Sequence, residues 1–224
     1  MSTFKTTYDG PALAGDEIAH DRARALLGQV MGYVAVTVGF AALGAYLGRD
    51  FRGAIGLVLF IATIPVVIGL QVAATRGREQ LAIGLLFGLG LLLGLGVAPL
   101  IADYANGDPS ALWQAAGATA AFVAATGAYG YATRRDLSSW GRTLFWALLG
   151  LIAFGIVAIF VSIPNEHVIY TVAGLVIFGA FTIFDFNRLR RSTPDAAVPI
   201  AAGIFLDVFN FFLLVLDLFG SRRD

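Results

Sequence analysis

Seven long stretches of this 224-residue chain carry no charged side chain, except for one aspartate in the last of them. Each stretch reaches or approaches the ~20 residues that a helix needs to cross ~30 Å of hydrocarbon. Only 13% of the residues are charged, which is about half the fraction found in soluble domains. The pattern predicts an all-α, polytopic membrane protein with seven transmembrane helices, over residues 25–48, 53–75, 80–102, 109–133, 143–165, 167–184 and 196–216.

The connections between these stretches are too short to hold a separate soluble domain. We therefore predict a polar N-terminal segment over residues 1–24, a single seven-helix transmembrane domain over 25–220, and a tail over 221–224. The lipid bilayer is the expected environment. Because the net charge is zero, nothing favours nucleic acid as a partner. The absence of cysteine excludes thiol catalysis and cysteine metal sites.

The distribution of lysine and arginine predicts the orientation in the membrane. With seven spans, eleven basic residues fall on the side of the N-terminus and four on the other side. Basic residues favour the cytoplasmic side, so we expect a cytoplasmic N-terminus and an external C-terminus. A re-entrant last segment would instead return Arg222 and Arg223 to the cytoplasm. A full span is preferred, because a re-entrant loop must hide its backbone inside the protein.

The third stretch, GLLFGLGLLLGLG, is rich in glycine. Small residues at four-residue spacing allow helix backbones to approach closely in lipid. We therefore predict close helix packing in this stretch, with a glycine-lined ion path as the alternative. The residues concerned are Gly84, Gly88, Gly90, Gly94 and Gly96.

Asp207 lies in the middle of the last stretch, far from any other charge in that segment. A carboxylate at the centre of a membrane helix costs roughly 2.5–3.5 kcal/mol on insertion scales and faces a partner or water. Asp185 ends the preceding stretch, and both aspartates are eleven positions from Ala196 in the connecting turn. In an antiparallel hairpin the two carboxyls would lie on the order of 10–15 Å from that turn. We predict that they form a partly buried pair.

Two carboxyl groups in contact cannot cheaply both be ionised, so one of them keeps a proton. The protonated pair would clamp helices six and seven, whereas the ionised pair would repel or recruit a cation such as Ca²⁺. Asn210 shares a helical face with Asp207 and could add a hydrogen bond or an ion ligand. Asn187 is a second candidate, two positions after Asp185. The alternative for Asp185 alone is an ion pair with Arg188 within its own helix.

The last forty residues resemble the Bax inhibitor-1 (transmembrane BAX inhibitor motif) family. The resemblance rests on IFDFNRLRR around Asp185 and IFLDVFNFFLLVLDLFG around Asp207, and GLGVAPL at the end of the third stretch is also similar. It implies seven helices with the last one central, and a pH-sensitive calcium leak in which Asp185 and Asp207 are the sensor. By position, Arg76 matches the arginine that latches to this pair. The second stretch carries no glutamate, which some relatives have there, so a second acidic site on the ion path is not implied.

Three functions stay open at this point. The first is the pH-sensitive, calcium-permeable leak channel in a bacterial inner membrane, with Ca²⁺ and H⁺ as its ions and no cofactor. The second, which the resemblance also implies, is a non-conducting regulator that binds a membrane-bound protease or another membrane protein. The third is an intramembrane aspartyl protease, whose chemistry also needs two aspartates, but Asp207 follows Ile-Phe-Leu with no adjacent glycine. We therefore predict that the protein is not an enzyme. A retinal protein is excluded, because Lys5 is the only lysine.

Overall fold

The structure is a computed structural model that describes residues 10–52 and 54–220, with side chains described from residue 21 onward. This part of the chain is helical and contains no strand. The helices are α1 (Gly10–Leu47), α2 (Ile55–Thr75), α3 (Glu79–Gly107), α4 (Pro109–Ala132), α5 (Trp140–Phe160), α6 (Glu166–Arg191) and α7 (Ala197–Gly220). A short 3₁₀ turn, Pro194–Ala196, connects the last two.

Six of these seven helices are long and apolar enough to cross a membrane, which confirms an all-α polytopic membrane protein. The exception is α4, which is not apolar enough to be counted. Its length is sufficient, because 24 residues rise ~36 Å. Its alanine, glycine and threonine residues make it less hydrophobic than the other helices. A seventh crossing by α4 stays a prediction.

The helices extend beyond the charge-free stretches at several ends. α1 begins at Gly10, so residues 10–24, which the sequence assigned to a polar segment, belong to the first helix. α3 continues past Asp103, and α6 continues to Arg191. Charged residues mark where a helix meets water and do not end the helix itself. Residues 1–9 and the tail 221–224 lie outside the described residues, so the predictions that concern Lys5, Arg222 and Arg223 fall there as well.

Glycine allows α3 to pack tightly between α1 and α2. A Cβ atom on Gly94 would collide with the backbone of Ala41 in α1, and one on Gly56 of α2 would lie 2.7 Å from the carbonyl oxygen of Gly96. The predicted close packing is confirmed at these positions. Of the five glycines in the third stretch, three make such contacts, namely Gly90, Gly94 and Gly96. The other two, Gly84 and Gly88, face open space.

The last helix, α7, lies at the centre of the protein. It contacts α1, α2, α3, α4 and α6. Buried residues make up 61% of its apolar segment, against at most 39% in the other five candidate spans. Phe205, Ile204 and Leu216 are fully or almost fully buried. The expected central position of the last helix is confirmed, and a polar group on the inner faces of α7 is therefore surrounded by protein.

Candidate functional site

The two aspartates are carried by the hairpin of α6 and α7. The hairpin turns through the residues between Arg191 and Ala197, with the 3₁₀ turn in its middle. The exposed fraction is 6% for Asp185 and 5% for Asp207. Both acids therefore lie inside the helix assembly, away from the surface that would face lipid.

A glycine of α7 makes room for the carboxylate of Asp185. A Cβ atom built on Gly203 would collide with Oδ2 of Asp185, so this carboxylate rests directly on the α7 backbone. Gly203 precedes Asp207 by four residues and therefore lies on the same helical face, one turn away. The carboxylate of Asp185 therefore lies against α7 about one turn from Asp207, and the two acids interact electrostatically. A direct contact between the two carboxyls stays a prediction.

One oxygen of Asp207 has no hydrogen-bond partner. Among the described residues, only two buried side-chain polar atoms lack a partner: Oδ2 of Asp207 and Oγ1 of Thr119 in α4. Burying an ionised carboxylate is expensive unless a hydrogen bond or a counter-charge compensates for the lost hydration. None of the described side chains or backbone groups supplies that compensation at Oδ2 of Asp207.

Neither of the two arginines considered from the sequence contacts the acid pair. Arg188 lies one turn after Asp185 and acts on it electrostatically, but it is exposed. Arg76 is exposed at the end of α2. Within the described residues neither arginine forms an ion pair shorter than 4.0 Å. The structure does not bring Arg76 together with the aspartates, so its role as a latch stays a prediction.

Asn210 is half-buried in α7, and its amide is engaged within its own helix. Its Nδ2 donates to the carbonyl oxygen of Leu206 at 2.7 Å. No hydrogen bond joins Asn210 to Asp207 among the described side chains. A contribution of Asn210 to an ion path stays a prediction.

Asn187 faces away from the acid pair and holds the loop between α4 and α5. Two positions along a helix correspond to a rotation of about 200°, so Asn187 and Asp185 point in nearly opposite directions. Asn187 is buried, and its Oδ1 accepts from the N–H of Leu137 at 3.3 Å. Its Nδ2 donates to three carbonyl oxygens, those of Gly130 (3.3 Å), Thr133 (3.3 Å) and Arg135 (3.1 Å). The structure thus places Asn187 in a structural anchor.

Arg191 completes this anchor, which sequence reasoning missed. Its guanidinium pairs with Oδ1 of Asp136 at 3.1 Å and donates to the backbone carbonyls of Arg134 (3.1 Å) and Arg135. Hydrogen bonds from the hydroxyl and the N–H of Ser138, followed by the charge of Arg191, hold the pKa of Asp136 below its ordinary value. The sequence signal was the Asp-x-Ser step, which is typical of a side-chain-capped turn.

A polar contact also joins the start of α6 to the end of α7, far from the turn that connects the two helices. Nε2 of His167 lies 3.3 Å from Oδ2 of Asp217. The hydroxyl of Thr171, which is fully buried, donates to the same oxygen at 3.2 Å. The α6–α7 pair is therefore tied at the end opposite the connecting turn.

The acid pair does not amount to a complete metal site. In the part of the chain that the structure describes, no three residues of the types His, Cys, Asp and Glu are grouped so as to hold a metal ion. Calcium takes six to eight oxygen ligands, and the pair supplies two carboxylates. The pair alone would leave most ligand positions of a Ca²⁺ ion to other groups, so a calcium site at Asp185 and Asp207 stays a prediction.

Two cavities lie on α6, and neither is lined by Asp185 or Asp207. The larger is an open apolar groove of about 580 Å³ on the outer face of the helix. The smaller, of about 220 Å³, lies at the end of α6 beside the anchored loop, and five of its six lining residues are polar or charged. Its lining residues are Ser138, Phe184, Asn187, Arg188, Arg191 and Ser192.

Comparison with known proteins places the chain among similar membrane proteins. Residues 23–224 match the model of a protein family described as "Inhibitor of apoptosis-promoting Bax1". Inner membrane protein YbhL of Escherichia coli K12 is 26% identical over 93% of this chain and 97% of its own length. The Golgi anti-apoptotic protein of vaccinia virus (strain Lister) is 34% identical over 72% of this chain and 68% of its own. A protein of Helicobacter pylori J99 is 26% identical over 100% and 99% of the two chains.

Proposed function

Because this chain belongs to the family of inhibitors of apoptosis-promoting Bax1, we propose that it is a pH-sensitive, calcium-permeable leak channel. The gate is the pair of Asp185 and Asp207 between α6 and α7. The observation that carries the proposal is that both acids are buried in the helix assembly while Oδ2 of Asp207 lacks a hydrogen-bond partner. The similarity to YbhL, named as an inner membrane protein, supports the same location for this chain.

The closed state of the channel is the arrangement with α7 packed at the centre. With both acids neutral, the carboxyl of Asp185 can rest against Gly203 without a charge in the apolar interior. Acidic pH favours this state, because protonation removes the cost of burying charge. Close contact between α6 and α7 then leaves no space for an ion beside the acids.

The open state follows from ionisation of the pair. At neutral or alkaline pH, negative charge at Asp185 and Asp207 is costly in this interior and repulsive between the two residues. The charge is relieved when α6 and α7 separate and water or a cation enters. Carboxylate oxygens are preferred ligands of Ca²⁺, so the same charge that opens the path also attracts the permeant ion.

The orientation is part of the proposal. With the N-terminus in the cytoplasm, the turn between α6 and α7 and its arginines face the cytoplasm, as the excess of basic residues on that side favours. The acid pair then lies nearer the cytoplasmic end of the helices. Arg76 belongs to the same side and is proposed to latch the pair after a side-chain rearrangement.

Calcium entry into liposomes tests the channel. We expect entry through the wild-type protein to rise between pH 6 and pH 8, and we expect Asp207→Asn to remove this pH dependence. Asp103→Asn is the matched control, because Asp103 is an exposed acid of α3. Absence of protein-dependent calcium entry at every pH, or the same pH profile in Asp207→Asn and the wild type, would contradict the proposal.

A second candidate function is a non-conducting regulator that binds another membrane protein, such as a membrane-bound protease. Two observations favour it: the viral relative is named as an anti-apoptotic protein, and neither cavity on α6 is lined by the acid pair. Co-purification of a stoichiometric membrane partner that is lost when residues 1–20 are deleted, together with no calcium entry, would favour the regulator over the channel.

A further inference from the structure

The small polar cavity at the end of α6 has the composition of an anion site. Of its lining residues, Arg188 and Arg191 carry positive charge, and Ser138, Asn187 and Ser192 are polar. Its volume of about 220 Å³ is below the ~300–1,000 Å³ typical of pockets for drug-sized ligands. The cavity therefore suits a group of the size of a phosphate with a short substituent.

The two arginines differ in the number of partners that their guanidinium groups contact. Arg191 is committed to Asp136 and to the backbone of the anchored loop. Arg188 forms no ion pair shorter than 4.0 Å within the described residues, and no hydrogen bond of its side chain is seen there. Its planar guanidinium can donate two parallel hydrogen bonds to a phosphate. Arg188 is thus the arginine of the cavity whose guanidinium has no close partner among the described residues, and it lies beside the fixed guanidinium of Arg191.

Neighbouring elements add to the positive potential. Phe184 lines the cavity, and its ring also contacts Gly141 in the first turn of α5. The cavity therefore opens beside the N-terminus of α5, where the helix dipole favours anions. The residue before this helix, Ser139, does not cap it with its side chain. Among the residues 133–142 and 188–195, six arginines stand against two aspartates.

The position of the cavity relates it to the membrane surface. It lies at the end of a membrane-spanning helix, where the apolar stretch of α6 gives way to the arginines of its last turn. Basic pockets at this depth bind the head groups of acidic lipids. An alternative role for these arginines is to complement the dipole at the C-terminus of α6. That role would not require a cavity or a guanidinium without a close partner.

We propose that this cavity, with Arg188 as its principal ligand, binds a phosphate group, supplied by an acidic phospholipid or by free phosphate. Arg191 and the N-terminus of α5 contribute positive potential, and the Asn187 anchor holds the loop that forms one wall. The site is distinct from the acid pair, because it lies at the cytoplasmic end of α6 in the proposed orientation, although Arg188 also acts electrostatically on Asp185.

Binding of phosphatidylglycerol to the full-length protein tests the site. The protein is purified in detergent, and retained lipid is measured by native mass spectrometry during titration with phosphatidylglycerol or phosphatidylcholine. Each arginine near an acidic surface contributes about fivefold to binding without a specific site. We expect Arg190→Gln, a neighbouring arginine outside the cavity, to weaken phosphatidylglycerol binding about fivefold or less. We expect Arg188→Gln to weaken it by about thirtyfold or more, because a charge-assisted hydrogen bond is lost as well.

Further measurements distinguish a lipid head group from free phosphate as the source of the bound phosphate group. Displacement of phosphatidylglycerol by millimolar inorganic phosphate or glycerol 3-phosphate would assign the site to free phosphate. Retention of the lipid against these competitors would assign it to the head group. Arg188→Lys keeps the charge and should lose most of the tight binding, because its ammonium lacks the planar fork.

The proposal is overturned if Arg188→Gln and Arg190→Gln weaken binding equally, or if phosphatidylglycerol and phosphatidylcholine are retained to the same extent in wild type and Arg188→Gln. Arg188 is exposed, so its substitution should not affect folding, and an unchanged melting temperature without lipid verifies this. No calcium flux is measured in this test, so its failure is distinct from a failure of the proposed channel.

Discussion

Replacing Gly203 by alanine perturbs the acid pair without touching either acid. The added methyl group would collide with Oδ2 of Asp185, which is buried and has little room to move. Overpacking of this kind costs about 1–3 kcal/mol. Alanine in a helix interior recovers ~0.5–1 kcal/mol relative to glycine, so we expect a net loss of about 1–2 kcal/mol. For a chain of this length, such a loss corresponds to a melting temperature that is lower by ~2–8 °C.

A double-mutant cycle isolates the contact responsible. The melting temperature of the purified protein is measured for Gly203→Ala, Asp185→Ala and the double variant. With Asp185 shortened to alanine, the collision disappears, so adding Gly203→Ala should be neutral or stabilising. Gly84→Ala is the matched control, because a Cβ atom there meets nothing within 4 Å, and it should not destabilise the protein.

The same substitution also bears on gating. If closure depends on Asp185 resting against Gly203, a closed state weakened by ~1.4 kcal/mol raises the open fraction about tenfold. Gly203→Ala should therefore leak calcium at acidic pH, where the wild type is closed. If the changes in melting temperature of the two single variants add up to that of the double variant, the contact between Gly203 and Asp185 is refuted. If they do not add up, but Gly203→Ala leaks no more calcium at acidic pH than the wild type, the part of this contact in gating is refuted.

Two further predictions concern the loop over residues 133–139. Asn187→Ala should destabilise the protein by at least about 3 kcal/mol and expose this loop to protease, because three hydrogen bonds to the loop backbone and one to Gly130 near the end of α4 are lost. Asn210→Ala, which loses one bond within its own helix, should have a much smaller effect on the melting temperature and on cleavage. The lowered pKa of Asp136 means that its stabilisation of the loop is complete above the ordinary carboxyl pKa and is lost as pH falls through the lowered value. The protection of the loop amides against hydrogen exchange, taken relative to the intrinsic exchange rate at each pH, should therefore fall below about pH 4 in the wild type and not in Asp136→Asn.

The fold was predictable from sequence because lipid imposes a strict rule on the chain. Every backbone group in the bilayer must be satisfied internally, so a long charge-free stretch becomes a helix. The exception among the predicted spans is α4, which is long enough to span the membrane but is rich in alanine, glycine and threonine, the small residues that pack against other helices. Its start after Asp108 and its end before Arg134 were still visible from charge alone. The predicted first span begins at residue 25, where the charges end, whereas α1 continues beyond that point to Gly10, because charge marks the water boundary and not the end of the helix.

The proximity of the two acids was predictable for a different reason, namely their positions about the turn. Asp185 and Asp207 are equally far from Ala196 in the sequence, but α6 ends at Arg191 and α7 begins at Ala197, so Asp185 lies beside Gly203, one turn before Asp207, and not at its height. The role of Asn187 was not predictable in this way. Distance along the chain placed it next to Asp185, but its partners lie 50 to 57 residues away in the sequence. Such partners appear only once α4 is packed on α6.

The two faces of α6 are held by different kinds of contact, and this difference bears on how the pair would act. On one face, Asn187 and Arg191 fix the α4–α5 loop through a set of hydrogen bonds and an ion pair that do not involve the buried acids. On the other face, next to the turn, α7 meets α6 through apolar side chains, Gly203 and two carboxyls. Apolar packing is not directional, whereas a change of charge in a buried place alters the free energy by several kcal/mol. Ionisation of Asp185 or Asp207 should therefore move α7 relative to a bundle in which α4 and α6 stay together.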